Sequence, residues 1–342
     1  MTGITPEQSA EARALAARYG SLKEAARQTG IAFTTLQRRA SRHKQENTKP
    51  RYKVPARVTG NEPPHFTDAP GPRPEPLYSA PAPVTPPSSD LIRVLALGDL
   101  HDDPYLPKDR FGWIGKHAAE MQPDRIVSIG DICDLESLSF HSGNATEAGR
   151  YKPRFMADMQ SLDQALETMF EPMAKGNVRA STFLTCGNHE NRLIRFEDSA
   201  PEVSGMLQRD FAGVVGKYGI QFYKYGQYLD IGGVKFVHSP FSVMGKPIGG
   251  MTATQTIARQ SSGDIVCGHT HKASVITAPR LGGESKVTII DLGCSLPHGY
   301  VASYAKHTLT GWSWLVWELL IQNGSIQGYN AIPMAELERK YK

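Results

Sequence analysis

The feature that most restricts the fold is a series of short apolar runs, each closing on glycine and a polar cluster. Leu91–Gly98, Arg125–Gly130 and Ser181–Gly187 are of this kind. Short apolar runs bounded by turn residues predict strands. Between them, Phe111–Met121 and Met156–Met173 carry apolar residues at helical spacing. Strand–helix alternation predicts a layered α/β core. After Gly219 the pattern changes to consecutive strands: Ile220–Lys224, Val234–His238, Asp264–Cys267, Ala273–Thr277, Lys286–Asp291 and Trp312–Ile321. Asn323-Gly324, set between two alternating runs, predicts a tight hairpin because both residues tolerate the left-handed backbone such a turn needs. No internal repeat is visible.

Two different segments precede this region. Residues 47–90 hold twelve of the 24 prolines. Proline removes the amide donor that helices and sheets need, so this stretch predicts an extended, semi-rigid linker. Residues 1–46 read as a small helical module. Ala12, Leu15 and Ala16 share one face of a first helix, which Gly20 ends. Ser21 opens a second helix, Leu22–Thr29, and Gly30-Ile31-Ala32 makes a turn. Thr34 is expected to cap a third helix containing Leu36, Gln37, Arg38, Arg39 and Arg42. This layout looks like a helix-turn-helix, whose third helix would lie in the DNA major groove with Thr35, Gln37 and Arg38 toward bases or phosphates. A protein-docking three-helix unit and a merely solvated basic face remain alternatives.

Charge divides along the same boundaries. Residues 1–60 carry twelve Lys/Arg against four acids, a net +8, which leaves −4 on the rest of a chain whose total is +4. A basic module joined to a mildly acidic body suggests a polyanionic partner for the module. No run of about 18 uncharged apolar residues exists, so no membrane span is expected. The nearest candidate, Trp312–Ile321, carries Glu318. The first residues lack a basic-then-apolar signal layout, and the expected location is cytoplasmic. Cys133, Cys186, Cys267 and Cys294 form no C-x-x-C pair and read as buried filler.

Five motifs follow predicted strands in order: Gly98-Asp99-Leu100-His101, Gly130-Asp131-Ile132-Cys133-Asp134, Gly187-Asn188-His189-Glu190, His238 after Phe236-Val237, and Gly268-His269-Thr270-His271. Sites in open α/β sheets form beyond the carboxyl ends of strands. Two nearby divalent cations can polarise a phosphoryl oxygen and activate a water, but they repel one another and need a bridging carboxylate. Asp99, His101, Asp131, Asn188, His238, His269 and His271 supply enough ligands for two sites. Mixed oxygen and nitrogen donors suit Mn²⁺, Fe or Zn²⁺ better than Ca²⁺.

This ordered set resembles the calcineurin-like metallophosphoesterase family, over residues 91–342. The resemblance implies a four-layer αββα sandwich and hydrolysis of a phosphate ester with two divalent metal ions. Carried over residue by residue, Asp99, His101 and His271 would hold one metal, and Asn188, His238 and His269 the other. Asp131 would bridge them. His189 would protonate the leaving oxygen, with Asp134 orienting its ring. Arg192 is a candidate for gripping the substrate phosphate; a salt bridge to Glu190 or another nearby acid is the competing role. The protein Ser/Thr phosphatase branch carries Arg-Gly after the second motif, whereas Leu135-Glu136 stands here, which points away from that branch. The segment His141 to Met159 reads as a polar loop or one wall of the cleft. His117, His141, His298 and His307 match no motif. The module-plus-hydrolase arrangement resembles, more loosely, metallophosphoesterases encoded by phages and prophages. The expected function is a phosphodiesterase or nuclease targeted to DNA. The alternative is a phosphomonoesterase or small-nucleotide hydrolase with a DNA- or protein-docking module.

Overall fold

In the N-terminal unit, α1 (Pro6–Tyr19), α2 (Leu22–Thr29) and α3 (Phe33–Ser41) are each bounded by local chemistry. The computed structural model describes residues 5–41, 90–140, 152–280, 285–301 and 310–342. The expected linker up to residue 89, residues 42–46 of the module, and His141, Arg150 and His307 lie outside them. Thr5 and Gln8 form a reciprocal cap at the start of α1, and Gly20 and Gly30 end α1 and α2 in left-handed conformation. The Ser21 hydroxyl accepts the Glu24 amide at 3.1 Å. One expectation is corrected: α3 starts before Thr34. The Ala32 carbonyl accepts the Thr35 and Leu36 amides at 2.9 and 3.1 Å, so Phe33 opens the helix and Thr34 lies in its first turn. Ala12, Ala25 and Leu36 form the buried centre of this unit, a small core for so short a chain.

The first described element of the second unit is β1 (Ile92–Leu97). It continues through α4 (Asp109–Met121), β2 (Arg125–Ser128), α5 (Phe155–Lys175), β3 (Ser181–Thr185), α6 (Asn191–Ser199), α7 (Met206–Lys217) and β4 (Gln221–Tyr223). There follow β5 (Leu229–Ile231), β6 (Val234–Phe236), α8 (Ala253–Gln260), β7 (Ile265–Cys267), β8 (Ala273–Pro279), β9 (Lys286–Leu292), β10 (Leu315–Gln322), β11 (Ser325–Pro333) and α9 (Met334–Tyr341). A six-stranded sheet runs β11-β10-β1-β2-β3-β4, and a five-stranded sheet runs β5-β6-β7-β9-β8. β1 to β4 are mutually parallel, as are β6, β7 and β9. The hairpin expected at Asn323-Gly324 is present between β10 and β11, with φ of 52° and 79° at the two residues.

Successive strand residues point to opposite faces, and both faces are apolar. Leu95 and Leu97 join Phe111 and Ile114 of α4, Leu162 and Leu166 of α5, and Leu337 of α9 in one core. Val94 and Ala96, from the same strand, face the second sheet and meet Phe236, Val266 and Ile290. On the far side of that sheet, Ile257 and Ala258 of α8 cover Val237, Ile265 and Ile289. The layers are therefore helices, sheet, sheet, helix: the expected αββα sandwich.

The strand expectations hold in place and order, whereas several helices are longer or newly seen. α5 starts at Phe155, so the end of the segment expected as a polar loop is helical, because Met159 and Leu162 need the core face. α6, α7, α8 and α9 were not anticipated. β5 is only three residues long, too short to carry a periodic signal.

The sandwich predicts that the two sheets depend on one another. Leu319 of β10 is fully buried between them. Leu319→Ala removes packed methyl groups and should destabilise the second unit by about 2–5 kcal/mol. Chemical denaturation followed by tryptophan fluorescence measures it; a loss under about 1 kcal/mol would mean that the inter-sheet core is not cooperative there.

Candidate metal centre

All five motifs sit at carboxyl ends of parallel strands. Asp99 and His101 follow β1, Asp131 follows β2, Asn188 and His189 follow β3, His238 follows β6, and His269 and His271 follow β7. The two sheets thus present their loops at one end. Backbone bonds tie these loops together. The Leu100 and His101 amides both donate to the Asp131 carbonyl at 3.0 and 2.8 Å, and the Gly268 amide donates to the His238 carbonyl at 2.9 Å. Among the described residues eight non-glycine residues have positive φ, and His101, Asp131, His269 and His271 are four of them. Left-handed backbone at such residues is held by its surroundings and concentrates at functional sites. Gly187 has a different reason to be glycine: a Cβ there would lie 2.0 Å from Asp131 Oδ1.

The side chains converge in two groups. In the first, His101 Nε2 lies 3.0 Å from His271 Nε2, which lies 3.0 Å from Asp99 Oδ2. In the second, Asn188 Oδ1 lies 3.0 Å from His238 Nε2 and 2.8 Å from His269 Nδ1. Asp131 stands between them, its Oδ2 3.4 Å from His238 Nε2 and 3.9 Å from His101 Nε2. Asp99–His101–His271 and Asp131–His238–His269 each bring one ligand atom per residue close enough to share an ion. A third such group, His101–Asp134–His189, overlaps the first.

The donor chemistry fits divalent cations. His238 Nδ1 faces the Ile129 carbonyl at 3.1 Å. A carbonyl can only accept, so Nδ1 carries the proton and Nε2 is aimed at two oxygens, Asn188 Oδ1 and Asp131 Oδ2. Burial opposes charge on the His238 ring, yet the Asp131 and Asp99 carboxylates outweigh it and raise its pKa. His101 Nδ1 likewise faces Asp134 Oδ1 at 3.2 Å, which turns its Nε2 lone pair toward the centre; burial keeps this ring neutral. Burial also opposes ionisation of Asp131, but His238 and His189, together with the His189 amide donating to its Oδ1 at 2.8 Å, hold its carboxyl far below the usual carboxylate range. Paired carboxylates that drive a buried ring positive are surroundings a cation satisfies, and fixed outer nitrogens are what orient metal-binding imidazoles.

His189 lies outside the two ligand groups. Its Nδ1 is 2.8 Å from Asp134 Oδ1 and 2.8 Å from the Asp134 carbonyl, and its ring packs edge-on to His101 with centroids 4.6 Å apart. Burial opposes its protonation, but Asp131 and Asp134 push its pKa up to about 9. Asp134 therefore serves two rings at once, His101 and His189. The Arg192 Nη1 donates to the Asp134 carbonyl at 2.8 Å and reaches Glu136 at 3.4 Å, while Nη2 lies 3.4 Å from His189 Nε2. Its ion pair is thus with Glu136 rather than Glu190. In the N-terminal unit, Gln37 and Arg38 are exposed on α3, and Thr35 is half-buried. His117 pairs with Glu318 at 3.1 Å, and His298 packs against Trp314.

Glu190 is the residue whose role sequence reasoning missed. It is buried, and its carboxylate accepts the amides of Asp131, Ile132 and Gly187, each at 2.8 Å. It joins the β2 and β3 loops. Its place as the last residue of Gly187-Asn188-His189-Glu190 was the available signal. Asp102 does a similar job for the β1 loop, paired with Lys108 at 2.6 Å and accepting the Ser161 hydroxyl at 2.6 Å.

A two-sheet sandwich that gathers aspartate, asparagine and histidine at its strand ends defines a metallophosphoesterase. The chain belongs to the calcineurin-like phosphoesterase family, whose profile matches residues 92–273, more than half of its length. It is a metal-dependent phosphoester hydrolase. Among curated proteins none matches. Among solved structures, wild-type Vps29 complexed with Zn²⁺ from Entamoeba histolytica is similar at 12% identity, covering 71% of this chain and 99% of its own, with a TM-score of 0.30. A second crystal structure is similar at 13% identity, covering 68% of this chain and 100% of its own, with a TM-score of 0.36.

Glu190→Gln turns an amide donor toward backbone donors, and should cost about 2–4 kcal/mol in thermal or denaturant unfolding; an unchanged stability would contradict the linking role. Asp158 accepts from the Ser137 amide and hydroxyl, and burial pushes its carboxyl up to about 6, against those hydrogen bonds. A raised carboxyl pKa contributes stability at acid pH that is lost as pH rises through about 6. Asp158→Asn should therefore gain on the wild type by about 1–3 kcal/mol between pH 4 and pH 7. Parallel denaturation curves at the two pH values decide it, and a pH-independent gap would refute the assignment.

Proposed function

We propose that this chain hydrolyses phosphodiesters with two divalent cations, Mn²⁺ most readily and Fe or Zn²⁺ as alternatives, and that its N-terminal module (residues 1–46) delivers it to DNA across the linker (residues 47–90). The observation that carries the reading is the position of Asp131 between two ligand groups. Asp99, His101 and His271 would hold one ion, Asn188, His238 and His269 the other, and Asp131 both. When bound, such a pair supplies Lewis-acid charge at the phosphoryl oxygens and lowers the pKa of water.

The protein's own groups do the rest. His189, kept protonated by Asp131 and Asp134, is placed to donate a proton to the departing oxygen. Asp134 fixes which of its nitrogens faces the reaction, because Nδ1 is committed to the Asp134 carboxylate and carbonyl. Arg192 holds the Asp134 carbonyl and flanks His189, so it acts by positioning, and its Nη2 would be the group to meet a phosphate oxygen.

The diester reading is supported by charge. Among the described residues, the hollow beside the centre is lined by Asp103 and Asp134 and by no Lys or Arg. A singly charged diester suffers less repulsion there than a doubly charged monoester. Delivery to DNA is supported by the net +8 of residues 1–60 and by the exposure of Gln37 and Arg38 on α3.

The test strips metal and restores Mn²⁺, then follows p-nitrophenyl phosphate, its bis ester, and labelled single- and double-stranded DNA. Bis-ester and DNA turnover are expected. Asp131→Asn should fall to the metal-free background, and His189→Ala should lose about 10²–10⁴-fold in kcat. Monoester turnover alone would replace this reading with a phosphomonoesterase or small-nucleotide hydrolase. Bis-ester turnover without DNA cleavage would remove the DNA reading only.

A further inference from the structure

The candidate metal centre adjoins an open hollow lined in part by His101 and His271. Its wall is not what a phosphate group would need. Leu106, Leu296, Tyr300 and Trp312 make up its apolar side, and Asp103 and Asp134 line it as well. The aromatic side is held in place by contacts independent of any substrate. The Ser313 amide donates to the His271 carbonyl at 2.8 Å and the Cys294 amide to the Ser313 carbonyl at 2.9 Å. Those bonds set the neighbouring Trp312 against His271, with ring centroids 4.3 Å apart at 76°. The Tyr300 amide donates to the Pro297 carbonyl at 3.0 Å, and the Trp314 indole donates to the Tyr300 carbonyl at 3.0 Å. Leu296 is buried.

We propose that this hollow seats one planar, nucleobase-sized ring of the substrate, stacked against Tyr300 and Trp312 with its amino edge toward Asp103. The inference rests on the phosphoesterase reading and names the organic group that reading left open. Two observations carry it. The wall is aromatic and apolar, which favours a flat ring over a sugar or a peptide. The hollow adjoins His101 and His271, so a phosphate held at the metal centre would have one ester arm within reach. Asp103 takes the Tyr105 amide on Oδ1 at 2.7 Å, which leaves its carboxylate as an acceptor for an exocyclic amine.

The experiment compares adenosine 5′-monophosphate with ribose 5-phosphate, which share the phosphate and sugar and differ in the base. Binding to the Mn²⁺-loaded full chain is measured by calorimetry. The base should tighten binding by about tenfold or more, the size of a stacking contribution. Trp312→Ala should abolish most of that ratio while Trp312→Phe retains it, which separates a lost ring face from a misfolded site. Equal binding of the two compounds, or an unchanged ratio in Trp312→Ala, overturns the proposal, as does failure of both to bind. Turnover of bis-p-nitrophenyl phosphate is measured in parallel: its absence would count against the diesterase reading, while the base-dependent ratio would still stand as evidence for the seat.

Discussion

The candidate centre depends first on a carboxylate that faces no ion. Glu190 lies under the β2 and β3 loops and accepts amides from both. Without an acceptor there, several buried N–H groups would point at one another, which costs more than any single contact in the site contributes. With it, Asp131 can adopt its left-handed backbone and Gly187 can pass within reach of the Asp131 carboxylate. Burial and the Asp131 charge raise the Glu190 pKa to about 7, a cost that the backbone donors partly offset.

On that scaffold the ligand atoms are brought together against their own repulsion. Asn188 Oδ1, Asp131 Oδ2 and the inward nitrogens of His238 and His269 crowd a single volume. Outer contacts decide which nitrogen faces inward: the Ile129 carbonyl for His238 and the Asp134 carboxylate for His101. Asp134 links the two halves of the proposed chemistry, because the same carboxylate orients a candidate ligand and the candidate acid. One substitution there would disturb both, so its effects could not be divided between them.

The parts of the molecule also differ in what constrains them. The sandwich has three cores that share strands, so a residue such as Val94 or Leu95 belongs to one or another by alternation alone. The N-terminal unit has one small core around Leu36 and relies on caps for its helix ends. Its surface chemistry, basic and polar on α3, is what any partner would meet.

Much of this was legible before any coordinates. The places of most strands along the chain and the five motifs could be read because a buried strand needs an apolar run and the ligand-bearing loops need glycine beside Asp, Asn or His. Asn323-Gly324 announced its hairpin for the same local reason. The helices α6 to α9 were not legible, since their apolar faces are short and draw their order from the sheets they cover. Glu190 could be seen in its motif, but its role could not, because its partners lie in a loop 58 and 59 residues earlier. The Arg192 partner and the aromatic wall of Tyr300 and Trp312 were equally hidden. The sequence by itself determined which residues could bind cations and in what order they follow the strands. Only the tertiary structure decided which nitrogen of each ring faces inward and what surrounds the centre, because those depend on contacts between loops far apart in the chain.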